Sequence, residues 1–306
     1  MKTIFSFRKH AALLFLVPVL VCGCTSTQPL SEPIGRFRTA TQGVLATSKE
    51  YLVNMNRLER EYRFMEVYVD RQKEVDATTT SAVFSAEGIQ ARLKALMIVD
   101  LYVTRLVEIV NPESSDRLSK KIETFNSDLL GLGSSIKTMT GDETISNYAP
   151  SVTGLVKSLS LIWVEQEKKK ALNLAVTEAA PAVDAILSLL EDDLKKANDD
   201  RKEYVLIKYN ELRRTYNRER KSLDDNERKK RIEELKTLYD AYEMLCSSAP
   251  EGVIGSMRSA HDSMVQMARD LGDTHKYRAF AGAVDVFSAR ASEAAAVYKA
   301  FRELSK

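Results

Sequence analysis

The positions of the seven prolines constrain the fold of this 306-residue chain more than any other feature. A proline inside a helix removes a backbone hydrogen bond and costs about 3 kcal/mol, so prolines mark where long helices begin or end. Each proline falls in the N-terminal stretch or at the edge of a segment with helical apolar spacing: Pro18, Pro29, Pro33, Pro112, Pro150, Pro181 and Pro250. We therefore predict long helices with no proline in their interiors.

The segments between the prolines carry apolar residues at helical spacing. From Phe37 to Val69 the steps alternate between four and three, which is the heptad spacing of packed helices. The same reasoning predicts helices at about 33–76, 85–111, 114–139, 151–175, 181–222, 225–247, 250–271 and 274–304, and a loop at 77–81. No useful β alternation or fixed-period repeat is present. The expected fold class is all-α, an elongated multi-helix bundle with long antiparallel helices.

Residues 200–245 predict a helical hairpin within this bundle. The apolar rhythm thins beyond Asp199, so this part of the chain has less to bury against the main core. Asp224 is followed three residues later by Glu227, the spacing of a capping box at a helix start. We therefore expect the hairpin to leave the core and to project from it.

The N-terminal segment has the organisation of a secretory signal. Lys2, Arg8 and Lys9 precede an apolar run from Ala11 to Val21. A run of about eleven residues is short of the roughly 20 needed to cross a bilayer as a helix, but it suits a signal peptide. Residues 1–23 are therefore expected to be absent from the working protein.

The stretch Val21-Cys22-Gly23-Cys24 resembles the lipobox of bacterial lipoproteins. The resemblance implies cleavage before Cys24, acylation of that cysteine with palmitate-type chains, and anchoring to a membrane through lipid. Thr25 follows in place of the aspartate that retains many such proteins in the inner membrane. The resemblance thus implies a location in the cell envelope, at the outer membrane and facing the periplasm.

Three regions follow from these predictions: a signal peptide at 1–23, a lipidated cysteine with an extended tether at 24–33, and a helical bundle domain at 34–306. The tether would reach about 30 Å at 3.3–3.6 Å per residue. Removal of residues 1–23, which hold three basic side chains and no acidic one, leaves 42 basic residues against 43 acidic ones. A nearly neutral chain gives no electrostatic reason to expect nucleic acid as a partner.

The inventory of catalytic side chains is small. Only His261 and His275 remain after processing, and their spacing fits no metal-site pattern, so we expect neither a metal nor another cofactor. The stretch at 131–135 begins like a dinucleotide fingerprint but lacks the third glycine and a preceding strand. Cys246 lies in an apolar helical segment and is predicted to be a buried, inert thiol. The sequence therefore favours a protein that is not an enzyme.

The most suggestive surface is a stripe of four residues on the fifth predicted helix: Tyr209, Arg213, Tyr216 and Arg220. Steps of four, three and four place them on one face, where cations and aromatic rings suit an envelope protein or an anionic glycan. Interleaved glutamates on the same helix favour the alternative of an ordinary solvated face.

The sequence thus predicts a lipid-anchored envelope scaffold or protein-interaction module. One alternative is a carrier that holds an apolar or amphipathic ligand between helices near Trp163. A carrier would need an internal apolar pocket of roughly 300–1,000 Å³. Another alternative is a non-catalytic regulator of cell-wall enzymes.

Overall fold

The computed structural model describes residues 28–69, 74–80, 82–111, 149–155 and 168–304. These residues form six long helices and no strand, and residues 149–155 are also helical. The helices are α1 (Gln28–Val69), α2 (Ala86–Val110), α3 (Lys168–Glu219), α4 (Asp225–Ser248), α5 (Pro250–Arg269) and α6 (Thr274–Leu304). The predicted all-α bundle is confirmed.

The helices surround one continuous apolar core. α1 contacts α2 and α6, α3 contacts α2, α4 and α5, and α5 also contacts α6. Large side chains with almost no exposure fill the centre, among them Phe37, Tyr102, Phe280 and Phe287. The rings of Phe37 and Phe287 lie 5.4 Å apart between their centroids, which joins α1 to α6. Burial of this apolar surface is the main stabilising contribution that the sequence can supply.

Pairwise contacts fix which helix ends lie together. In α1 and α6, Phe37 contacts Phe287 and Tyr51 contacts Tyr298, so these two helices are parallel. α2 runs against α1, because the Ser31 hydroxyl donates to Asn111 Oδ1 at 2.7 Å near the start of α1.

α3 and α5 are antiparallel. Asn173 donates from Nδ2 to the carbonyl of Ala268 at 2.6 Å, and Arg258 Nε lies 2.5 Å from Asp184 Oδ1. The starts of α1, α3 and α6 and the ends of α2 and α5 therefore lie at one end of the bundle, which we call the N-terminal end.

Two prolines lie inside helices, contrary to the sequence prediction. α1 begins at Gln28 and includes Pro33, so the predicted extended tether is wrong over 28–33. Leu30, Ile34 and Phe37 are all buried, and packing this first stretch of α1 into the core offsets one lost hydrogen bond.

Pro181 lies within α3, which is one helix of 52 residues, where the sequence predicted a helix at 151–175 and another from 181. The exposed ring of Pro181 faces solvent, whereas Ala179, Val183 and Ile186 are buried around it. Continuous burial on both sides of the proline outweighs the missing bond to the carbonyl of residue 177. At 1.5 Å per residue α3 is about 78 Å long.

Other predicted boundaries agree more closely. α2 is confirmed, with Ser85 as the N-cap, accepting from the Gly88 amide at 2.9 Å, and Asn111 as the C-cap. Residues 74–76 are not helical, so α1 does not extend to the predicted end at residue 76, and the loop over 77–80 is confirmed as a turn in which Asp76 accepts from the Thr78 amide at 2.8 Å. The predicted helix at 114–139, the stretch at 131–135 and Trp163 lie outside the described residues.

The hairpin between α3 and α4 is confirmed. Asp224 and Glu227 form the predicted capping box, with the Glu227 amide donating to Asp224 Oδ1 at 2.9 Å. Residues 224–230 are all exposed, and Lys230 Nζ lies 4.0 Å from the centre of the exposed Tyr68 ring near the end of α1. The tip of the hairpin therefore lies outside the core, at the end of the bundle opposite the N-terminal end.

One helix in the described part of the chain is apolar enough, over 18 residues, to cross a membrane by length and composition, and it is α3. Apolar side chains in the N-terminal half of α3 are buried against neighbouring helices, including Leu172, Val176, Leu187 and Leu190. The core helix of a soluble bundle has the same composition.

Candidate functional site

Of the four stripe residues on the hairpin, some pack against neighbouring side chains and others are exposed to solvent. The half-buried ring of Tyr209 packs against Tyr239 of α4 at 5.5 Å between centroids, and the Arg213 guanidinium lies 5.8 Å from the centre of the Tyr209 ring. Arg213 and Arg220 are exposed, while Tyr216 is half-buried. Tyr209 therefore helps to hold the hairpin together, and the two arginines remain accessible.

Beside this stripe the hairpin exposes large apolar side chains. Leu206 and Ile207 of α3 are 38% and 48% exposed, and Ile232 and Tyr239 of α4 are 51% and 44% exposed. Exposed apolar surface of this kind, where it is contiguous, often marks a site of interaction with another protein. We call Leu206, Tyr209, Arg213, Ile232 and Tyr239 the hairpin face.

Helical spacing places Ile232 and Tyr239 with the apolar residues of α4, but the bundle leaves both exposed. α4 carries two neighbouring apolar seams, and the bundle covers the one with Leu238, Ala241 and Leu245. Residues 232 and 239 belong to the other seam, which lies roughly 100° around the helix. The apolar stripe of α4 is wider than packing against one neighbouring helix requires. This width was the signal in the sequence that part of the stripe would be exposed.

Cys246 lies on the same uncovered seam of α4. Its side chain is exposed, so the prediction of a buried thiol is wrong. The error has the same cause, because periodicity identifies an apolar face but does not identify which part of it the neighbouring helix covers.

A buried ion pair connects the base of the hairpin to α1. Arg201 of α3 contacts Glu59 of α1, and their side chains are only 7% and 6% exposed. Arg63 Nε lies 2.5 Å from the other oxygen of the Glu59 carboxylate. Burial lowers the pKa of the Arg201 guanidinium, because the low-polarity surroundings disfavour its charge.

A second polar contact lies further along the hairpin. The Tyr204 hydroxyl donates to Glu66 at 2.9 Å, and Lys208 Nζ lies 2.5 Å from the same carboxylate oxygen. Burial and the Glu66 carboxylate raise the pKa of Tyr204. The last turns of α1 thus support one side of the hairpin and leave the hairpin face open.

Several buried polar atoms at the base of the hairpin lack a partner among the residues that the structure describes. They are Asn198 Nδ2 and Oδ1, Arg201 Nε and Nη1, and the hydroxyl of Tyr51. Asn198 has no exposed surface, and Tyr51 packs against Tyr298 at 5.3 Å between ring centroids. Burial is the main cause that raises the pKa of Tyr51. An unsatisfied buried amide costs about 1–3 kcal/mol, so this region is a weak point of the core.

Two cavities near this region are much smaller than a ligand site. Their volumes are about 10 and 20 Å³, and Tyr51 and Tyr298 line both. Each has room for about one water molecule. A larger groove of about 420 Å³ is open to solvent and lined by Lys169, Lys170 and Arg269 among others, so it is not an internal apolar pocket.

The two histidines have different environments. His261 is 1% exposed in the core, where its Nε2 and the Tyr102 hydroxyl are 3.0 Å apart, whereas His275 is exposed. Burial lowers the pKa of His261 to about 4. Asp262 next to it is exposed, as expected for adjacent helical residues that point in different directions. Within the described ranges no three His, Cys, Asp or Glu side chains group as metal ligands.

Comparison with known proteins gives no assignment. The chain matches no protein-family model, no curated protein and no solved structure.

Proposed function

We propose that this protein is a lipid-anchored helical scaffold of the cell envelope whose hairpin face binds a protein partner. The observation that carries the proposal is the set of exposed apolar side chains on the hairpin, with Ile232 and Tyr239 about half exposed beside an accessible arginine. Aromatic residues and arginine are the side chains that contribute most at protein interfaces.

The proposed anchor lies far from this face. Three residues separate Cys24 from the start of α1 at Gln28, a span of about 14 Å at most. Because α3 runs from the N-terminal end to the hairpin tip, its length of about 78 Å would hold the hairpin face well away from the bilayer. The proposed location is the outer membrane, with the bundle in the periplasm.

The anchor has its own test. Metabolic labelling with palmitate should mark the native protein, and Cys24→Ala should lose the label and leave the membrane fraction. A native protein without label, or a Cys24→Ala form that stays equally in the membrane fraction, would contradict lipid anchoring.

The partner is tested by photo-crosslinking in intact cells. A benzophenone amino acid at Tyr239 should capture one defined envelope protein, and the same group at Val286, an equally exposed apolar position on α6, should not. Ile232→Asp should lower the capture from position 239 about fivefold or more, as loss of an interface residue does, while Val286→Asp should leave it unchanged. Capture of lipid alone, of other copies of this chain, or of the same proteins from both positions would overturn the proposal.

A further inference from the structure

The open groove at the N-terminal end of the bundle is basic. It lies between the first turns of α3 and the last turn of α5, and Lys169, Lys170, Asn173 and Arg269 are among its lining residues. Lys170 and Arg269 are exposed and Lys169 is half-exposed. Lys169 and Arg269 form no ion pair with any residue that the structure describes.

Two acidic residues that the structure describes beside the groove, Asp270 and Asp273, are used in other contacts. Asp270 Oδ2 lies 3.3 Å from Lys276 Nζ, and Asp273 accepts from the His275 amide at 2.8 Å at the start of α6. Hydrogen bonds from the backbone hold the pKa of Asp273 below its usual value, so it stays charged in this capping role. These carboxylates are therefore engaged at the start of α6, next to the groove.

The groove also lies at the end of the bundle where the chain emerges towards Cys24. The contact between Asn173 and Ala268 places the groove level with the start of α3 and the end of α5. The contact between Ser31 and Asn111 places the start of α1 at that same end. The connection from Gln28 to Cys24, with three residues between them, keeps this end within about 14 Å of Cys24 and so close to any lipid attached there.

We propose that this basic groove, formed by Lys169, Lys170 and Arg269, binds the phosphate headgroups of an anionic bilayer. The bundle then stands on the membrane at its N-terminal end, with the hairpin tip directed away. The inference rests on the proposed lipid anchor for the position of the bilayer, but the affinity of the groove for headgroups does not require the acyl chains. Basic side chains near an anionic surface each contribute about fivefold to partitioning at physiological ionic strength.

The test uses the mature chain, from residue 24, with Cys24→Ser so that no lipid is attached. Co-sedimentation with vesicles of phosphatidylcholine and phosphatidylglycerol should show binding, and vesicles of phosphatidylcholine alone should show at least tenfold less. Binding should weaken as salt is raised, because the screening length falls from about 10 Å at 0.1 M to about 3 Å at 1 M. Inorganic phosphate at the same ionic strength should not displace the protein from the vesicles.

Charge reversal locates the contact. The triple variant Lys169→Glu, Lys170→Glu, Arg269→Glu should lose at least tenfold in binding to the anionic vesicles. Its matched control, Arg214→Glu, Arg218→Glu, Lys221→Glu, makes the same change in net charge at exposed residues near the hairpin tip and should stay within about twofold of native. Circular dichroism and the melting temperature of both variants verify that they are folded.

The inference would be overturned by equal loss in the two triple variants, by equal binding to both kinds of vesicle, or by no binding at all. Displacement by inorganic phosphate would indicate a site for the free ion and would also overturn it. None of these results bears on palmitate labelling or on crosslinking from the hairpin, so failure of the groove is distinguishable from failure of the proposed function.

Discussion

His261 shows how a single buried side chain sets a response to pH. The residue lies in the core with Tyr102 as its hydrogen-bond partner, and burial lowers its pKa to about 4 from 6.5. The folded protein therefore holds this imidazole neutral, whereas the unfolded chain protonates it near pH 6.5. The stabilisation that it contributes is complete above that pH and is lost as the pH falls towards about 4.

We predict that His261→Gln reduces the acid sensitivity of the fold. Over the window from about pH 6.5 to 4 the native protein should lose on the order of 3 kcal/mol more than the variant, whose amide does not titrate. Urea unfolding at several pH values gives both curves. Parallel curves for native protein and variant would show that other groups cause the acid response.

Two buried asparagines make opposite predictions. Asn56 is fully used, since its Nδ2 donates to the carbonyl of Phe84 at 2.8 Å and its Oδ1 accepts from the Phe84 amide at 2.9 Å. Asn198 is buried with neither amide atom bonded to a described residue. Replacement by leucine of similar size should therefore lower the free energy of unfolding at Asn56 by about 1–3 kcal/mol and raise it at Asn198 by a similar amount.

Denaturant unfolding of the two leucine variants measures this difference directly. Destabilisation by Asn198→Leu as large as that by Asn56→Leu would show that water or another part of the chain satisfies the Asn198 amide, and it would remove the weak point assigned to the base of the hairpin.

At the scale of elements, the hairpin is joined to α1 by charges in a buried position. Glu59→Met leaves Arg201 buried without its carboxylate and should cost about 3–5 kcal/mol, as the loss of one partner of a buried pair does. The double variant Glu59→Met, Arg201→Met removes both charges and should be more stable than the single variant. Arg63 reaches solvent at 34% exposure, so it tolerates the loss of Glu59.

The unfolding free energies of the native protein, of Glu59→Met, of Arg201→Met and of the double variant form the double-mutant cycle that measures this coupling. Glu61→Met is the matched control, because Glu61 is 57% exposed in its pair with Arg57 and should change stability by no more than about 0.5 kcal/mol. A double variant less stable than Glu59→Met would contradict the account.

The same elements show which parts of the fold were readable from sequence. Local signals predicted the helix starts near Ser85 and Pro250 and the capping box at Asp224, because each depends on neighbouring residues alone. The continuation of α3 through Pro181 depends on burial against other helices, which outweighs the local cost.

The candidate site was only partly predictable for a related reason. The stripe on α3 was visible, but the exposure of Ile232 and Cys246 depends on which of two apolar seams of α4 the bundle covers. The pairing of Glu59 with Arg201 joins residues far apart in the chain, and helical periodicity contains no information about such a pair.

At the scale of the whole molecule, the length of α3 predicts a radius of gyration above that of a compact protein. A domain with the length of the mature chain would have a radius of about 19 Å if compact. A rod of about 78 Å contributes about 22 Å by its length alone. Small-angle X-ray scattering of the unacylated mature chain should therefore give a radius of gyration clearly above the compact value of about 19 Å, and a value at or below about 19 Å would contradict the extended arrangement.

Apart from the one backbone bond that Pro181 lacks, α3 is continuous from core to tip, so its two halves share one ladder of backbone hydrogen bonds. Helix formation is cooperative, so order gained at one end of such a ladder favours order at the other. A partner that stiffens the hairpin would therefore slow hydrogen exchange in the N-terminal half of α3. By reciprocity, a mutation that loosens this half of α3 would weaken capture of the partner at the hairpin. Because the helix is continuous, the affinity of the hairpin for its partner would report on how well the N-terminal half of α3 is packed in the core.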